Sequence, residues 1–287
     1  MKFLKIFFLF LILSGAALAQ DEIGHKPLII TSINPLYQIL LAITKDKNNS
    51  VLIINPNLSE HNYQLKKSDV ESFSKADLIF YIDDELEKNF PKLIKNFSAE
   101  KKSYKASEIK GIKLLQRKDN ENKLDIHLWM NPLNVIKIAE FMAQKICKID
   151  RKNCKTYQKN FYKFKEEVLM TAGLVQKKLS KAKPANYVFY HDGYQYFENY
   201  FSLKPLKVIA RDDRELSVKE ARDLDLLMKA GKIKCIFGDV HDERNSAQKM
   251  AQNYEVKVVA LNLNGEMEGG YDGLLLKIVD AIVECVD

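Results

Sequence analysis

Short apolar runs rich in β-branched residues alternate along the chain with longer stretches in which apolar residues recur at helical spacing. In the first half this pattern predicts helices at 36–44 and 68–76 and strands at 28–31, 51–55, 78–82 and 112–115. Ser68 and Glu71 form a capping-box sequence, which gives the second helix a definite start. The strands are nearly continuous apolar runs, which is typical of parallel strands covered on both faces.

The second half repeats this pattern without repeating the sequence. Ser217 and Glu220 form another capping-box sequence. The pattern predicts helices at 217–229, 246–254 and 273–286 and strands at 187–190, 208–210, 235–237 and 256–261. The alternation of strands and helices in both halves predicts an α/β protein with two lobes of similar size, each built on a parallel sheet.

A long helical segment lies between the two lobes, from Pro132 to about residue 182. It is almost free of glycine and proline, and it mixes charged and apolar residues at helical spacing. Its second helix, which Pro184 ends, has about 25 residues and would span about 38 Å, the width of a small domain. Its length and position favour a rigid strut between the lobes over an ordinary surface helix within one domain.

The N-terminus has the features of a secretory signal peptide. Lys2 and Lys5 form a basic start, residues 7–13 are apolar, and the sequence from Ala17 to Ala19 is a small-residue cleavage site. The apolar stretch is short for a membrane span, and no later stretch is long and apolar enough for one. No cysteine directly follows the cleavage point, so a lipid anchor on the mature N-terminus is not indicated. The mature chain is predicted to be soluble and exported to the periplasm.

The charge of the chain does not indicate a nucleic-acid partner. There are 45 basic and 38 acidic residues, a net charge of +7, which loss of Lys2 and Lys5 with the signal peptide lowers to +5. Lysines are scattered along the chain, whereas nucleic-acid-binding proteins concentrate them on one face or stripe. We interpret the positive charge as solvated surface.

The chain has four cysteines, an even number that favours disulfides in an exported protein. Cys147 and Cys154 bracket a short polar link, so a local bridge between them is expected, and Cys235 and Cys285 would then tie a strand to the last helix. A cysteine-based metal site is the weaker alternative, because there is no C-x-x-C sequence and an oxidising compartment removes thiolates.

Three of the five histidines, His61, His127 and His191, lie where a predicted strand gives way to a loop. Ligand groups in open α/β sheets come from loops at the carboxyl ends of strands, and three neutral imidazoles with one open position form a known zinc site. Any single histidine is more often a hydrogen-bonded structural residue than a ligand. We keep that interpretation for His25 and His241, the latter being expected in solvent.

Four segments of the chain resemble a known family in their order and spacing. They read TSINPLYQI, NLSEHNYQLKKSDVESFSKADLIFYI, DIHLWMNP and FYHDGYQYFENYF. With the long helix between the halves, they are similar to the periplasmic metal receptors of zinc and manganese ABC importers, the cluster A-I solute-binding proteins, over essentially the whole mature chain. The resemblance implies two lobes, each with a four-stranded parallel sheet and flanking helices, bridged by a long rigid helix, with metal bound in the cleft.

The resemblance also implies the ligands, because His61, His127 and His191 match the three histidine ligands of the family. Relatives of the manganese type tend to carry a carboxylate at the third position. His191 therefore favours zinc, and imidazole itself suits zinc better than manganese. Asp125 and Asp192 are candidates to orient the adjacent histidines.

The fourth ligand is left open by the resemblance. Many relatives carry Asp in the loop after the last strand, where this chain has Asn262, and an amide oxygen is a poorer zinc ligand than a carboxylate. Some zinc-type relatives carry Glu before the first histidine, as this chain does at Glu60. We rank Glu60 first, a bound water second and Asn262 third, with Asp239 as an outside candidate. Trp129 is expected to pack in the core beside the site.

The resemblance implies a monomeric receptor, not an enzyme. It would bind Zn²⁺ in the periplasm and deliver it to an ABC permease in the inner membrane, with its cytoplasmic ATPase. We expect a signal peptide at 1–19, metal-binding lobes at 20–153 and 184–287, and a linking helix at 154–183. Alternatives are a receptor for manganese or another divalent metal, an adhesin of the same fold, and an exported zinc hydrolase. No H-E-x-x-H motif or nucleophile elbow supports the hydrolase.

Overall fold

The computed structural model describes residues 26–61, 63–118, 120–180, 186–208, 216–241 and 245–286. The predicted signal peptide, His25 and Pro184 lie outside these residues. In the first half the strands and helices are β1 (Leu28–Thr31), α1 (Asn34–Thr44), β2 (Asn49–Leu52), α2 (Lys67–Lys75), β3 (Leu78–Tyr81), α3 (Phe90–Asn96), β4 (Ser103–Lys105), β5 (Gln116–Arg117), β6 (Asn120–Leu124) and α4 (Pro132–Ile149). From there the chain continues through α5 (Cys154–Leu179), β7 (Tyr187–Phe189), α6 (Gln195–Phe201), β8 (Lys207–Val208), α7 (Val218–Lys229), β9 (Cys235–Asp239), α8 (Ser246–Ala251), β10 (Lys257–Leu261) and α9 (Gly270–Val286).

The structure has two four-stranded sheets, with the strand orders β2-β1-β3-β4 and β10-β9-β7-β8. All neighbouring strands in both sheets are parallel. When the strands of each sheet are numbered in chain order, both sheets have the order second, first, third, fourth. The predicted class of two parallel α/β lobes is confirmed, and the repeat between the halves is one of topology.

Burial explains why the strand pattern could be recognised. The inner strands β1, β3, β7 and β9 are almost wholly buried, so both of their faces require apolar residues. The edge strands β2 and β10 are more exposed, and their apolar runs are weaker. The sequence signal is therefore strongest where helices cover both faces of the sheet.

The predicted strand at 112–115 is wrong. This segment forms no strand, and its backbone is held by side chains: the N–H of Lys113 donates to Oδ1 of Asn134 at 2.8 Å, and that of Leu115 donates to the hydroxyl of Tyr196 at 3.0 Å. The fourth strand of the sheet is instead β4, a three-residue edge strand that is only half-buried. β5 and β6, which fall outside the predicted strands, pair as an antiparallel hairpin.

The helix starts agree with the capping sequences in one case of two. At α7, Ser217 and Glu220 form the predicted capping box. At α2, the predicted box of Ser68 and Glu71 is wrong. The carboxylate of Asp69 caps the start of the helix instead, because it accepts the backbone N–H of Lys66 at 2.7 Å. The helix therefore begins one residue earlier than predicted, because the buried carboxylate of Asp69, and not that of the exposed Glu71, accepts the N–H of the residue before the helix.

The long helix α5 has 26 residues and spans about 39 Å. Its buried face follows a helical repeat and packs on α1, α4 and α9. The amide of Asn160 donates to the carbonyl of Ile43 in α1 at 2.8 Å, and Lys178 pairs with Asp280 in α9. Since α1 belongs to the first lobe and α9 to the second, α5 joins the two lobes as predicted.

One apolar core runs through both lobes and includes the buried face of α5. A smaller cluster lies under α7 and α8 in the second lobe. The disulfides pair Cys147 with Cys154 and Cys235 with Cys285, which confirms both expected bridges. Among the residues that the structure describes, no helix is long and apolar enough to cross a membrane.

Candidate metal centre

Each of the three candidate histidines follows the carboxyl end of a strand. His61 lies in the loop after β2, His127 lies three residues beyond β6, and His191 lies two residues beyond β7. β2 and β7 belong to the two parallel sheets, so His61 and His191 follow the carboxyl edges at which such sheets bind ligands, whereas β6, which precedes His127, belongs to the antiparallel hairpin. Two histidines come from the first lobe and one from the second, so the site forms only where the lobes meet.

The structure brings the imidazoles of His61, His127 and His191 together. One nitrogen of each ring lies within 4.8 Å of the corresponding nitrogens of the other two. Nε2 of His127 and Nε2 of His191 are 3.2 Å apart. Two nitrogens bound to one tetrahedral zinc ion lie about 3.3 Å apart, given zinc–nitrogen distances of about 2.0–2.1 Å. The spacing therefore fits ligation of a single ion.

His127 is oriented by Asp125, as the sequence suggested. Oδ1 of Asp125 lies 2.8 Å from Nδ1 of His127 and also accepts the backbone N–H of His127 at 3.0 Å. A carboxylate only accepts, so Nδ1 carries the proton and Nε2 presents its lone pair to the centre of the site. Burial lowers the pKa of His127, but the hydrogen bond and charge of Asp125, together with the charges of Glu60 and Asp192, outweigh burial and raise the net pKa above 6.5.

His191 is held in a different way. Burial lowers its pKa well below 6.5, and the positive charges of His127 and His61 lower it further. In the described part of the chain, its ring makes a hydrogen bond only to His127. Gly193 lies against the ring, and a Cβ at Gly193 would lie 2.7 Å from Cδ2 of His191 and 2.2 Å from Cδ1 of Leu263. The glycine therefore provides the space in which the third imidazole lies.

The neighbouring Asp192 does not take the role that Asp125 has. Its carboxylate is buried, and Oδ1 has no hydrogen-bond partner among the described residues. Burial raises its pKa to about 6. The expectation that Asp192 orients His191 is therefore not met by a hydrogen bond in this structure.

His61 is the most accessible of the three ligand candidates. Its side chain is 13% exposed, whereas His127 and His191 are 2% and 6% exposed. A cavity of about 180 Å³ opens beside His61 and His127, with Lys88 and Lys123 among its lining residues. Solvent therefore reaches the cluster from the side of His61.

The structure separates the candidates for the fourth ligand. Glu60 is buried, and its Oε1 lies 3.8 Å from Nε2 of His61. Both ends of the Asn262 side-chain amide already make hydrogen bonds. Nδ2 donates to the carbonyl of Pro56 at 3.0 Å, and Oδ1 accepts the N–H of Asn264 at 3.0 Å. Neither carboxylate candidate belongs to the group in which every pair of ligand atoms lies within 4.8 Å.

Asp239 lies at the end of β9, close enough to the site for charges there to act on it. Burial raises its pKa to about 6, with a further rise from Glu60 and opposing effects from His241 and His61. His241 was expected in solvent, and that prediction is wrong. It is half-buried, its N–H donates to Oδ1 of Asp239 at 2.7 Å, and its charge acts on His191.

Large aromatic side chains fix the segment that carries His127. Nε1 of Trp129 donates to the carbonyl of Leu263 at 2.8 Å, and the hydroxyl of Tyr271 donates to the carbonyl of Trp129 at 2.8 Å. The hydroxyl of Tyr196 donates to the carbonyl of Asp125 at 2.9 Å. Trp129 is fully buried beside the site, as expected. Residues of the second lobe thus hold the histidine segment of the first.

Sequence reasoning missed two residues that shape this site, Gly193 and Asn264, and it wrongly placed His241 in solvent. Gly193 could have been suspected from its place two residues after a candidate ligand. His241 follows the apolar run of β9 closely, which is the same signal that identified His191. Asn264 has no local signal, because its role depends on a contact with Glu60, 204 residues away.

Comparison with known proteins agrees with this architecture. Over residues 29–285 the chain matches the family described as ZnuA, zinc-uptake complex component A periplasmic. The high-affinity zinc uptake system protein ZnuA of Brucella abortus strain 2308 is 21% identical over 318 residues, which cover 95% of this chain and 94% of that protein.

Two solved structures share the fold at low sequence identity. A ZnuA deletion mutant with zinc bound has a TM-score of 0.82 at 20% identity, covering 92% of this chain and 99% of that chain. The periplasmic zinc binding protein TroA from Treponema pallidum has a TM-score of 0.79 at 20% identity, covering 91% and 99%. Because the family match extends from β1 to the end of α9, the chain belongs to the family of periplasmic zinc-uptake components, ZnuA.

Proposed function

We propose that this chain is the receptor of a zinc importer, which binds Zn²⁺ in the periplasm and delivers it to an ABC permease driven by a cytoplasmic ATPase. The observation that carries this proposal is the convergence of three imidazole nitrogens within 4.8 Å where the lobes meet. Membership of the family of periplasmic zinc-uptake components supports it.

The proposed ligands are His61, His127, His191 and one oxygen of Glu60. Three neutral imidazoles and a carboxylate suit zinc, which binds nitrogen and oxygen ligands in tetrahedral geometry. Asp125 makes His127 a more basic ligand and fixes its orientation. A manganese site would favour oxygen ligands, so a histidine at the third position supports zinc as the cargo.

Delivery in this proposal does not require wide opening of the lobes. The shared apolar core and the packing of α5 against α1 and α9 oppose a large hinge motion. We therefore propose that the permease triggers release through a local movement of the strand-end loops, with the receptor acting as a monomer.

The proposal also divides the chain into segments and assigns it no catalytic activity. The signal peptide would be residues 1–19, the lobes 20–153 and 184–287, and the linking helix 154–183. The family is described as an uptake component, and we propose no catalytic activity for the zinc-loaded chain. Turnover of ester or peptide substrates that depends on His61 would instead support a hydrolase.

The direct test is zinc stoichiometry and affinity for the wild type and for the variants His61→Ala, His127→Ala and His191→Ala. We expect one zinc per wild-type chain. Each variant should lose more affinity than the roughly 10–100-fold that follows loss of an outer hydrogen-bond partner. His241→Ala is the matched control, since it removes a nearby histidine outside the cluster. Wild-type affinity in all three ligand variants would refute the proposal.

A further inference from the structure

Glu60 and Asn264 meet across the two lobes in a buried hydrogen bond. Nδ2 of Asn264 donates to Oε2 of Glu60 at 2.7 Å, and the two residues are 2% and 4% exposed, respectively. The other carboxylate oxygen, Oε1, lies 3.8 Å from Nε2 of His61. The two oxygens of Glu60 therefore have different surroundings, one against an amide and the other against a candidate ligand.

Asn264 is itself held from both lobes. Its N–H donates to Oδ1 of Asn262 at 3.0 Å, and its carbonyl accepts from Nδ2 of Asn34 in α1 at 3.0 Å. Asn262 also donates to the carbonyl of Pro56 at 3.0 Å. The amide that contacts Glu60 is thus fixed by a framework of hydrogen bonds, so it can hold Oε2 at a set position.

The charge of Glu60 selects the orientation of this amide. Oδ1 of Asn264 is buried and has no hydrogen-bond partner in the part of the chain that the structure describes. Turning the amide over would place Oδ1 against the carboxylate oxygen, where two acceptors repel. A hydrogen bond to an ionised carboxylate is stronger than one between neutral groups. The hydrogen bond therefore holds Oε2 on the side of Asn264.

We propose that Asn264 makes Glu60 a one-oxygen ligand and thereby favours zinc over manganese in this site, an inference that rests on the proposed function. With Oε2 held at the amide, Oε1 is the oxygen that lies toward His61 and toward an ion bound by the three histidines. Zinc is satisfied by four ligands in tetrahedral geometry, whereas manganese favours additional oxygen ligands. Asn264 is thus a positioning residue that withholds the second oxygen.

The test replaces zinc with Co²⁺, whose visible absorption is much stronger in four-coordinate sites than in five- or six-coordinate ones. Asn264→Leu removes the amide donor at nearly constant size. Gln38→Ala is the control, because Gln38 donates to the carbonyl of Met267 at 2.9 Å in the same loop without contacting Glu60. We expect Asn264→Leu to lose most of the visible absorption of bound Co²⁺ and Gln38→Ala to keep it.

The metal preference should change together with the spectrum. The ratio of zinc affinity to manganese affinity should fall by about tenfold or more in Asn264→Leu, the scale expected for loss of an outer partner of a ligand. In a Glu60→Gln background the same substitution should leave spectrum and ratio unchanged, because the two residues act as a unit. An unchanged spectrum and ratio in Asn264→Leu alone would overturn the inference.

A measurement on the wild type covers the case in which Asn264→Leu does not fold. X-ray absorption of the zinc-loaded chain should show four nitrogen or oxygen neighbours around zinc, and a fifth neighbour from the second carboxylate oxygen would overturn the inference. Failure of the proposed function would look different, since zinc would then bind without the three histidines or not at all. Zinc binding that needs the histidines but ignores Asn264 overturns this inference alone.

Discussion

The two lobes have the same strand order but hold their buried histidines by opposite means. In the first lobe, His127 is fixed by hydrogen bonds to Asp125, and its pKa is raised by that partner despite burial. In the second lobe, His191 makes no such contact among the described residues, and burial lowers its pKa. Two histidines that are both buried thus differ in the direction of their pKa shift. The difference depends on whether a carboxylate accepts a hydrogen bond from the ring, as Asp125 does from His127.

The largest effect should come from disturbing the space that holds His191. Gly193→Ala would place a methyl group 2.7 Å and 2.9 Å from Cδ2 and Nε2 of His191, so the ring must move. We expect zinc affinity, measured by competition with a chelator of known affinity, to fall by about 100-fold, the upper range for a misplaced ligand.

Gly173→Ala is the control for this substitution. Gly173 lies inside α5, and a Cβ there would meet no atom within 4 Å. Alanine should keep zinc affinity and add up to about 1 kcal/mol of stability, because glycine is a poor helix former. Equal zinc affinity in both alanine variants would show that His191 does not depend on the space at Gly193.

A smaller effect should follow from removing the partner of His127. Asp125→Ala leaves Nδ1 of His127 without its acceptor, so the ring is less basic and less firmly oriented. Zinc affinity should fall by roughly 10–100-fold. Asp192→Ala is the matched control, because its carboxylate makes no hydrogen bond to His191 in the described structure. If both substitutions cost the same, the difference between the lobes is not one of hydrogen bonding.

The smallest expected effect is the pH dependence of zinc binding, which tests the difference in pKa between His127 and His191. Zinc binds neutral imidazole, so protons compete with it as the pH falls. The raised pKa of His127 means that it takes up a proton above pH 6.5, while His191, with its lowered pKa, stays neutral to a much lower pH. As the pH is lowered, zinc affinity should therefore begin to fall while the pH is still above 6.5. It should fall by about tenfold per pH unit while binding of zinc displaces one proton.

NMR titration of the histidine ring protons in the zinc-free chain would show which histidine protonates first. Asp125→Asn should move the loss of zinc affinity to lower pH, because the charge that raises the pKa of His127 is removed. Protonation of His191 before His127, or zinc affinity that stays constant between neutral and mildly acidic buffer, would contradict the assignment.

The fold could be predicted from the sequence where burial imposed a strong pattern. The inner strands are apolar on both faces, and α5 shows its buried stripe over 26 residues. The edge of the sheet escaped prediction for the opposite reason. β4 is short and half-buried, so it carries little signal, whereas Ile112 and Leu115 pack against the core without pairing as a strand.

The sequence could predict only those site residues whose type itself indicates metal binding. Histidines at strand ends and a resemblance to known receptors were sufficient to nominate His61, His127 and His191. The polarity of Asn262 could not reveal that its amide is consumed by Pro56 and Asn264. The contacts of Asn262 with Pro56 and of Asn264 with Glu60 join positions about 200 residues apart, and no local pattern in one sequence encodes such a distance.

The uneven exposure of the three imidazoles has a consequence for the kinetics of ion exchange. A competing chelator, or a protein that takes the ion, meets His61 before it can reach His127 or His191. The ion would then leave by stepwise substitution, with the outer imidazole replaced first while the two inner ones still hold it. If these histidines hold the ion as proposed, the rate of its release would depend mainly on the bond to His61, whereas the affinity would depend on all of the bonds together.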